Sequence, residues 1–194
     1  MCGKSAIAVH EGISKAAAHT CILGCAERRR FRMGQATMSG KQTVLKDQRG
    51  RISFPAAFRA AIGETLYISP AENNRRILVV RSEAGFNAEC NRIREVFRAN
   101  GNDEEDINDE VRDFSSMTQK VNPDKNGRIT IDEDLIDFAE LKEKVVVVGM
   151  QSFAELWDEG KFRAHEEKRQ MIREQRRRQK DAEKAARLIA KDSE

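Results

Sequence analysis

No apolar run in this chain approaches the length of a membrane-spanning helix, which excludes a helical span as its organising feature. Cysteine is scarce and badly distributed for a disulfide framework. Of four, Cys2, Cys21 and Cys25 lie near the N-terminus and Cys90 stands alone in the middle. That pattern fits a reducing cytosol. Histidine is scarcer still: His10, His19 and His165 are scattered. No nucleophile elbow, phosphate-cradling glycine loop or zinc-protease spacing is present, so the sequence offers no enzyme and no cofactor site. His19, Cys21 and Cys25 lack a convincing fourth partner for a metal.

Charge is abundant, at 35% of residues against 39% hydrophobic, but it is unevenly placed. Residues 1–37 hold six Lys/Arg and two Asp/Glu, residues 38–157 hold 17 and 21, and residues 158–194 hold 12 and nine. The central stretch is therefore acidic on balance, and contact with a polyanion must come from a local basic patch. Residues 1–37 read as a disordered extension, with translation expected to start at Met33 or Met38.

The chain repeats itself. Asp47-Gln48-Arg49-Gly50-Arg51-Ile52-Ser53-Phe54 returns as Asp124-Lys125-Asn126-Gly127-Arg128-Ile129-Thr130-Ile131, an offset of 77 (124 − 47). Each copy sets an Asp and an Arg on either side of a glycine-ended turn. The pattern predicts two strand–turn–strand–helix units. Lys41–Leu45 and Arg51–Phe54 read as outgoing and return strands, followed by a helix from Pro55 to a stop at Gly63. Leu66–Ile68 and Ile77–Val80 read as strands joined at Asn73-Asn74.

Phe86, Cys90, Ile93 and Phe97 mark one face of a helix ending near Asn100-Gly101. Cys90 there is a small buried hydrophobe. The acidic run Asp103–Asp106 reads as a solvated connector, and Val111, Phe114 and Met117 as a second short helix. After the second turn, Asp132 is placed to cap a helix buried through Leu135, Phe138, Ala139 and Leu141. Val145–Val148 reads as a buried strand. From Asp158 the chain is highly charged and keeps no heptad, so it reads as a solvated helix or a nucleic-acid-binding tail.

Within each motif, the Asp can hold one edge of the Arg guanidinium and leave the other for a phosphate or for guanine O6 and N7. Residues 41–62 carry Lys41, Lys46, Arg49, Arg51 and Arg59 against Asp47 alone. Residues 120–143 carry Lys120, Lys125, Arg128 and Lys142 against seven acids. The first motif is therefore expected to face DNA through Asp47, Arg49, Arg51, Lys46, Lys41 and Arg59. The second, with Asp124, Arg128 and Lys125, is expected chiefly to complete the body.

The doubled Asp-x-x-Gly-Arg motif, with Ser-Phe-Pro-Ala-Ala-Phe-Arg and later Lys-Val-Val-Val-Val-Gly and Phe-Ala-Glu-Leu-Trp-Asp, resembles the MraZ family, bacterial regulators related to AbrB- and SpoVT-type swapped-hairpin DNA binders. The resemblance implies an α+β, β-rich fold of two tandem swapped-hairpin units (a double-split β-barrel) with short helices and a long charged C-terminal helix. The expected boundaries are an extension at 1–37, a first repeat at 38–83, a helical connector at 84–119, a second repeat at 120–165 and a tail at 166–194. It also implies a ring-shaped homo-oligomer in the cytoplasm and nucleoid, binding double-stranded DNA at repeated sites upstream of its own cell-division and cell-wall operon, with no membrane or small-molecule substrate. An Asp132-Glu133-Asp134 run stands where the family usually has Pro and basic residues. The alternatives are an antitoxin-type DNA binder and a ring scaffold that never touches DNA.

Overall fold

The computed structural model describes residues 37–71 and 75–191, with side chains to residue 184. The expectations for residues 1–36, including the start at Met33, and for the Asn73-Asn74 turn lie outside the described residues.

Eight strands and five helices follow one another among the described residues. They run β1 (Lys41–Leu45), β2 (Arg51–Ser53), α1 (Ala56–Ile62), β3 (Leu66–Pro70), β4 (Leu78–Ser82), α2 (Glu83–Ala99), α3 (Glu104–Ser116), β5 (Gln119–Val121), β6 (Arg128–Thr130), α4 (Glu133–Ala139), β7 (Lys144–Gly149), β8 (Phe153–Asp158) and α5 (Glu159–Lys191). The fold is α+β and rich in antiparallel sheet, with a long C-terminal helix. No helix among the described residues is long and apolar enough to cross a membrane.

The pairing of β1 and β2 is not local. β1 and β2 share only an isolated bridge between Lys46 and Ile52. β1 instead pairs with β7, and β2 with β6. This corrects the reading of Arg51–Phe54 as the return strand of a local hairpin. A short turn brings the chain back, but β1 finds its partner 107 residues downstream (148 − 41) at Lys41–Val148 and β2 77 downstream (129 − 52) at Ile52–Ile129. The six-stranded sheet runs β1-β7-β8-β4-β3-β5. Adding 77 to the first half converts β1, β3 and β4 into β5, β7 and β8, and α1 into α4, so the order reads alike from either edge. In the two-stranded ribbon, Arg51 opposes Thr130, Ile52 opposes Ile129 and Ser53 opposes Arg128. Ile52 and Ile129 are themselves 77 apart, so a local pseudo-two-fold passes between them.

Strand alternation divides β7 between two apolar layers. Val145 and Val147 join the main core with Ile52, Phe54, Phe58, Leu78, Val80, Ile129, Ile131, Leu135 and Leu156. Val146 faces the other side with Ile77 and Trp157, where Phe162 of α5 packs. The ribbon, α1 and α4 thus close over one face of the sheet while α5 starts on the other. Helices α2 and α3 form a third cluster through Cys90, Ile93 and Phe114. Phe86 stacks between Tyr67 at 4.7 Å and Phe114 at 5.7 Å. The face read from Phe86, Cys90, Ile93 and Phe97 is the packed one, and Cys90 is buried.

Three local expectations change. The acidic run is no connector. Asp103 caps α3, its Oδ1 accepting from the backbone N–H groups of Glu105 and Asp106 at 2.9 Å. Glu104, Glu105 and Asp106 then fill the first turn, where the helix dipole favours negative charge. Asp103→Ala should cost about 1 kcal/mol of stability, measurable as a shift in urea midpoint. Met117 lies just past α3 and is exposed. Asp132 sits at the start of α4, but its side chain makes no cap. It accepts from the Gln119 amide at 2.9 Å, tying α4 to β5.

Candidate nucleic-acid interface

Each motif builds the same small structure. In the first turn, the Gly50 N–H donates to the Asp47 carbonyl at 3.1 Å and the Asp47 N–H to the Arg51 carbonyl at 3.0 Å. Asp47 Oδ1 accepts from the backbone N–H of Arg49 and of Arg51, both at 2.9 Å. Its Oδ2 accepts from Arg51 Nε at 2.7 Å. In the second turn, Asp124 Oδ1 accepts from the N–H groups of Asn126 and Arg128 at 2.8 Å, and Oδ2 from Arg128 Nε at 2.9 Å. The carboxylate therefore holds the turn and the arginine together. Only Nε is used among the described residues, so the two Nη groups of each guanidinium are left as a planar donor pair. That pair matches a phosphate, or guanine O6 and N7.

The same bonds set the acidity of the two carboxyls. The Arg51 backbone N–H above all, aided by the Arg51 guanidinium and the Arg49 N–H, holds Asp47 below its ordinary 3.8, and together they outweigh the desolvation that pushes it up. Asp124 is lowered in the same way by Arg128 and Asn126. A carboxyl whose pKa falls on folding contributes its stabilisation above the unfolded value and loses it as pH drops through the folded one. Both clamps are thus intact through neutral pH. Carboxyl NMR titration should give midpoints below 3.8 for both residues, and Arg51→Ala should move the Asp47 midpoint upward.

The ribbon brings the motifs together. Directly opposed residues of an antiparallel pair share a face, as do residues two apart on one strand. Arg51, Ser53, Arg128 and Thr130 therefore lie on one face, and the buried Ile52 and Ile129 on the other. Arg51 and Arg128 are diagonal neighbours, with Cα atoms about 7–8 Å apart. Arg49 and Lys125 sit exposed in their turns at either end. Both arginines thus stand on one surface of the ribbon.

Packing between copies also redistributes charge. A Cβ at Gly127 would fall 2.0 Å from Arg59 Nη1, so the α1 guanidinium lies against the second turn, not the first. Its Nε is buried without a hydrogen-bond partner among the described residues. At Gly50 the corresponding place is taken by Ile136 of α4, whose Cδ1 would be 2.8 Å from an added Cβ. Residues 59 and 136 are again 77 apart. Each helix covers the other copy's turn, so Arg59 supplies a cation to the second motif, while acidic α4 covers the first. Lys46 stays beside the first turn, its N–H donating to the Glu143 carbonyl at 2.7 Å. Lys41 is elsewhere, at the far end of β1. Its Nζ pairs with Glu166 at 2.7 Å and lies 4.9 Å from the centre of the Phe162 ring. This cross-packing was open to the sequence only through the 77-residue offset, which matches Arg59 with Ile136.

Among the described residues, no three His, Cys, Asp or Glu side chains gather as a metal ion would require. His165 stacks on Trp157 at 4.9 Å on the α5 side of the sheet, remote from the motif carboxylates.

A family model described as "MraZ protein, putative antitoxin-like" matches residues 114–185. A protein of Mesomycoplasma hyopneumoniae (strain 7448) named Transcriptional regulator MraZ is 32% identical over 125 residues, covering 64% of this chain and 82% of that protein. Its namesake in Mycobacterium sp. (strain KMS) is 30% identical over 132 residues, covering 66% and 88%. Another in Mycolicibacterium smegmatis (strain ATCC 700084 / mc(2)155) is 29% identical over 132 residues, with the same coverage.

Proposed function

Because the chain belongs to the MraZ family, we propose that it is a sequence-specific DNA-binding transcriptional regulator whose reading head is the β2–β6 ribbon. One observation carries this reading. Two arginines, each clamped through Nε and each with its Nη pair free among the described residues, share one exposed face. A two-stranded ribbon is narrow enough for the major groove of B-DNA. Clamping fixes the guanidinium plane before contact, so little rotamer freedom is lost on binding. Arg49, Lys125, Lys46 and Arg59 flank the pair and add phosphate neutralisation.

One such head gives modest affinity. Several heads in a ring-shaped homo-oligomer, engaging repeated sites together, gain it through effective concentration. Avidity favours repeated sites, and the family resemblance is what points to promoter repeats upstream of the chain's own cell-division and cell-wall operon, with the protein acting in the cytoplasm at the nucleoid. The swapped-hairpin description of the two repeats belongs to the same proposal, and the β1–β7 and β2–β6 pairings support it. Footprinting the purified protein on DNA upstream of its own gene tests the reading. Protection of evenly spaced repeats is expected, and its loss in the Arg51→Ala/Arg128→Ala double variant. Unchanged protection by the double variant would remove the ribbon from the contact.

A further inference from the structure

Helix α5 sorts its charges in a way the linear sequence hides. It runs from Glu159 to Lys191, and its first turns are anchored. Phe162 packs on Trp157, and Lys161 Nζ reaches the Ala139 carbonyl at 2.9 Å and Glu140 at 3.0 Å. From Arg173 to Lys184 every side chain is exposed. At 100° per residue, Arg169, Arg173, Arg176, Arg177, Lys180 and Lys184 fall within one sector of about 100°, shared with the acid Glu166, which is paired with Lys41. None of the six has an ion-pair partner among the described residues. The opposite side holds Glu167, Met171, Glu174, Arg178 and Asp181, and there Arg178 pairs with Glu174 at 2.5 Å. The mixed-sign run is therefore one cationic stripe backed by a face on which acids outnumber Arg178.

We propose that this stripe is a second polyanion-binding surface that lies along the phosphate backbone of double-stranded DNA without reading its sequence. It deepens the function proposed above and rests on it for the identity of the polyanion. From Arg169 to Lys184 the stripe spans about 22 Å, long enough to follow several phosphates. Like charges four residues apart on a helix repel, and a backbone of opposite charge relieves that repulsion. The stripe begins in an open cleft of about 550 Å³ where Arg75, Arg169 and Arg173 stand with Glu155 and Glu166, two acids already engaged by Trp157 and Lys41, so cations of the body and of the helix meet there. A lipid surface fits less well, because the face opposite the stripe is charged, not apolar. Acidic α3 of a second copy is the other candidate, and the test separates it.

The full-length protein and an Arg169→Gln/Arg173→Gln/Arg176→Gln/Arg177→Gln variant would be compared on a random-sequence duplex of about 30 base pairs. Glutamine keeps the helix, which circular dichroism verifies. Salt dependence is the readout. The slope of log K against log salt should fall by about 3–4 in the variant, near 0.9 per lost phosphate contact. Preference for the upstream DNA over the random duplex should survive. Arg51→Ala should behave oppositely, losing the preference and keeping most of the slope. An unchanged slope in the quadruple variant overturns the proposal, and so does a collapse of the oligomer by sedimentation with the slope intact, which would assign the stripe to α3 of another copy. Binding of the wild type, but not the variant, to phosphatidylserine vesicles with no change in slope overturns it as well. If the stripe variant loses slope while Arg51→Ala keeps its preference, the stripe stands and the ribbon reading fails.

Discussion

Arg51→Ala should weaken the proposed specific DNA binding about 10- to 100-fold per contact, the loss expected when a bidentate arginine is removed from a base or phosphate. Charge counted along the chain predicts a smaller loss for Arg128→Ala, because seven acids surround the second motif in sequence. The fold predicts a comparable one. Arg128 stands diagonally across the ribbon from Arg51 in an identical clamp, and Arg59 reaches over to the second turn. Arg51→Lys separates geometry from charge. A lysine keeps the cation but has no fork for the carboxylate to orient, so it should keep the full salt dependence yet lose the preference for one sequence. Titrations of each variant on upstream and scrambled DNA, at fixed salt, provide the comparison. If Arg128→Ala binds like the unmodified protein while Arg51→Ala fails, the ribbon is not a joint reader and the first turn acts alone.

Gly50→Ala is the second large effect, and the two turn glycines should part company. Both hold φ at +72°, a conformation that costs an L-residue about 1–2 kcal/mol. Their surroundings differ. At Gly50 an added Cβ meets the Ile131 carbonyl oxygen at 2.7 Å and the Ile136 side chain at 2.8 Å. That carbonyl belongs to backbone fixed in place, since the Ile131 N–H donates to the Gly50 carbonyl at 3.0 Å. Overpacking there adds about 1–3 kcal/mol, for a total near 3 kcal/mol and a melting temperature lower by about 6–12 °C. At Gly127 the Cβ meets the tip of Arg59, which can swing away, so Gly127→Ala should cost about 1–2 kcal/mol. Paired thermal melts decide it; equal losses would mean that the packing at the two turns is not what distinguishes them.

The elements legible in the sequence were those coded over short distances. The α2 face, the glycine-ended turns, the Asp–Arg clamp and the buried valines of β7 follow from spacing and side-chain chemistry within a dozen residues. What was illegible is which edge each strand meets. A three-residue strand such as Arg51–Ser53 carries no local record of its partner, and the turn beside it favoured the nearest candidate. That Lys41 and Arg59 lie away from the first turn was hidden by the same cause. Charge counted in a window assumes that neighbours in sequence are neighbours in space. Here α1 and α4 exchange turns, and β1 carries Lys41 to its far end. Asp103–Asp106 misled for a different reason: an acidic run suits a solvated linker and a helix N-terminus equally well, and only the N–H groups ahead of it decide.

The partnership of Lys41 with Val148 across the outer strand pair sets a timetable for synthesis. When the ribosome has made β1 and β2, their counterparts β7 and β6 are still untranslated, about 100 and about 75 residues and, at 5–20 residues per second, about 4–20 seconds away. For that interval the nascent chain carries two unmatched edges, one of them ending in Lys41 and Lys46, the kind of charged flank that discourages edge-to-edge association. Closure of the particle is thus among the last events of translation, and a message truncated before codon 144 should yield a polypeptide that chaperones retain.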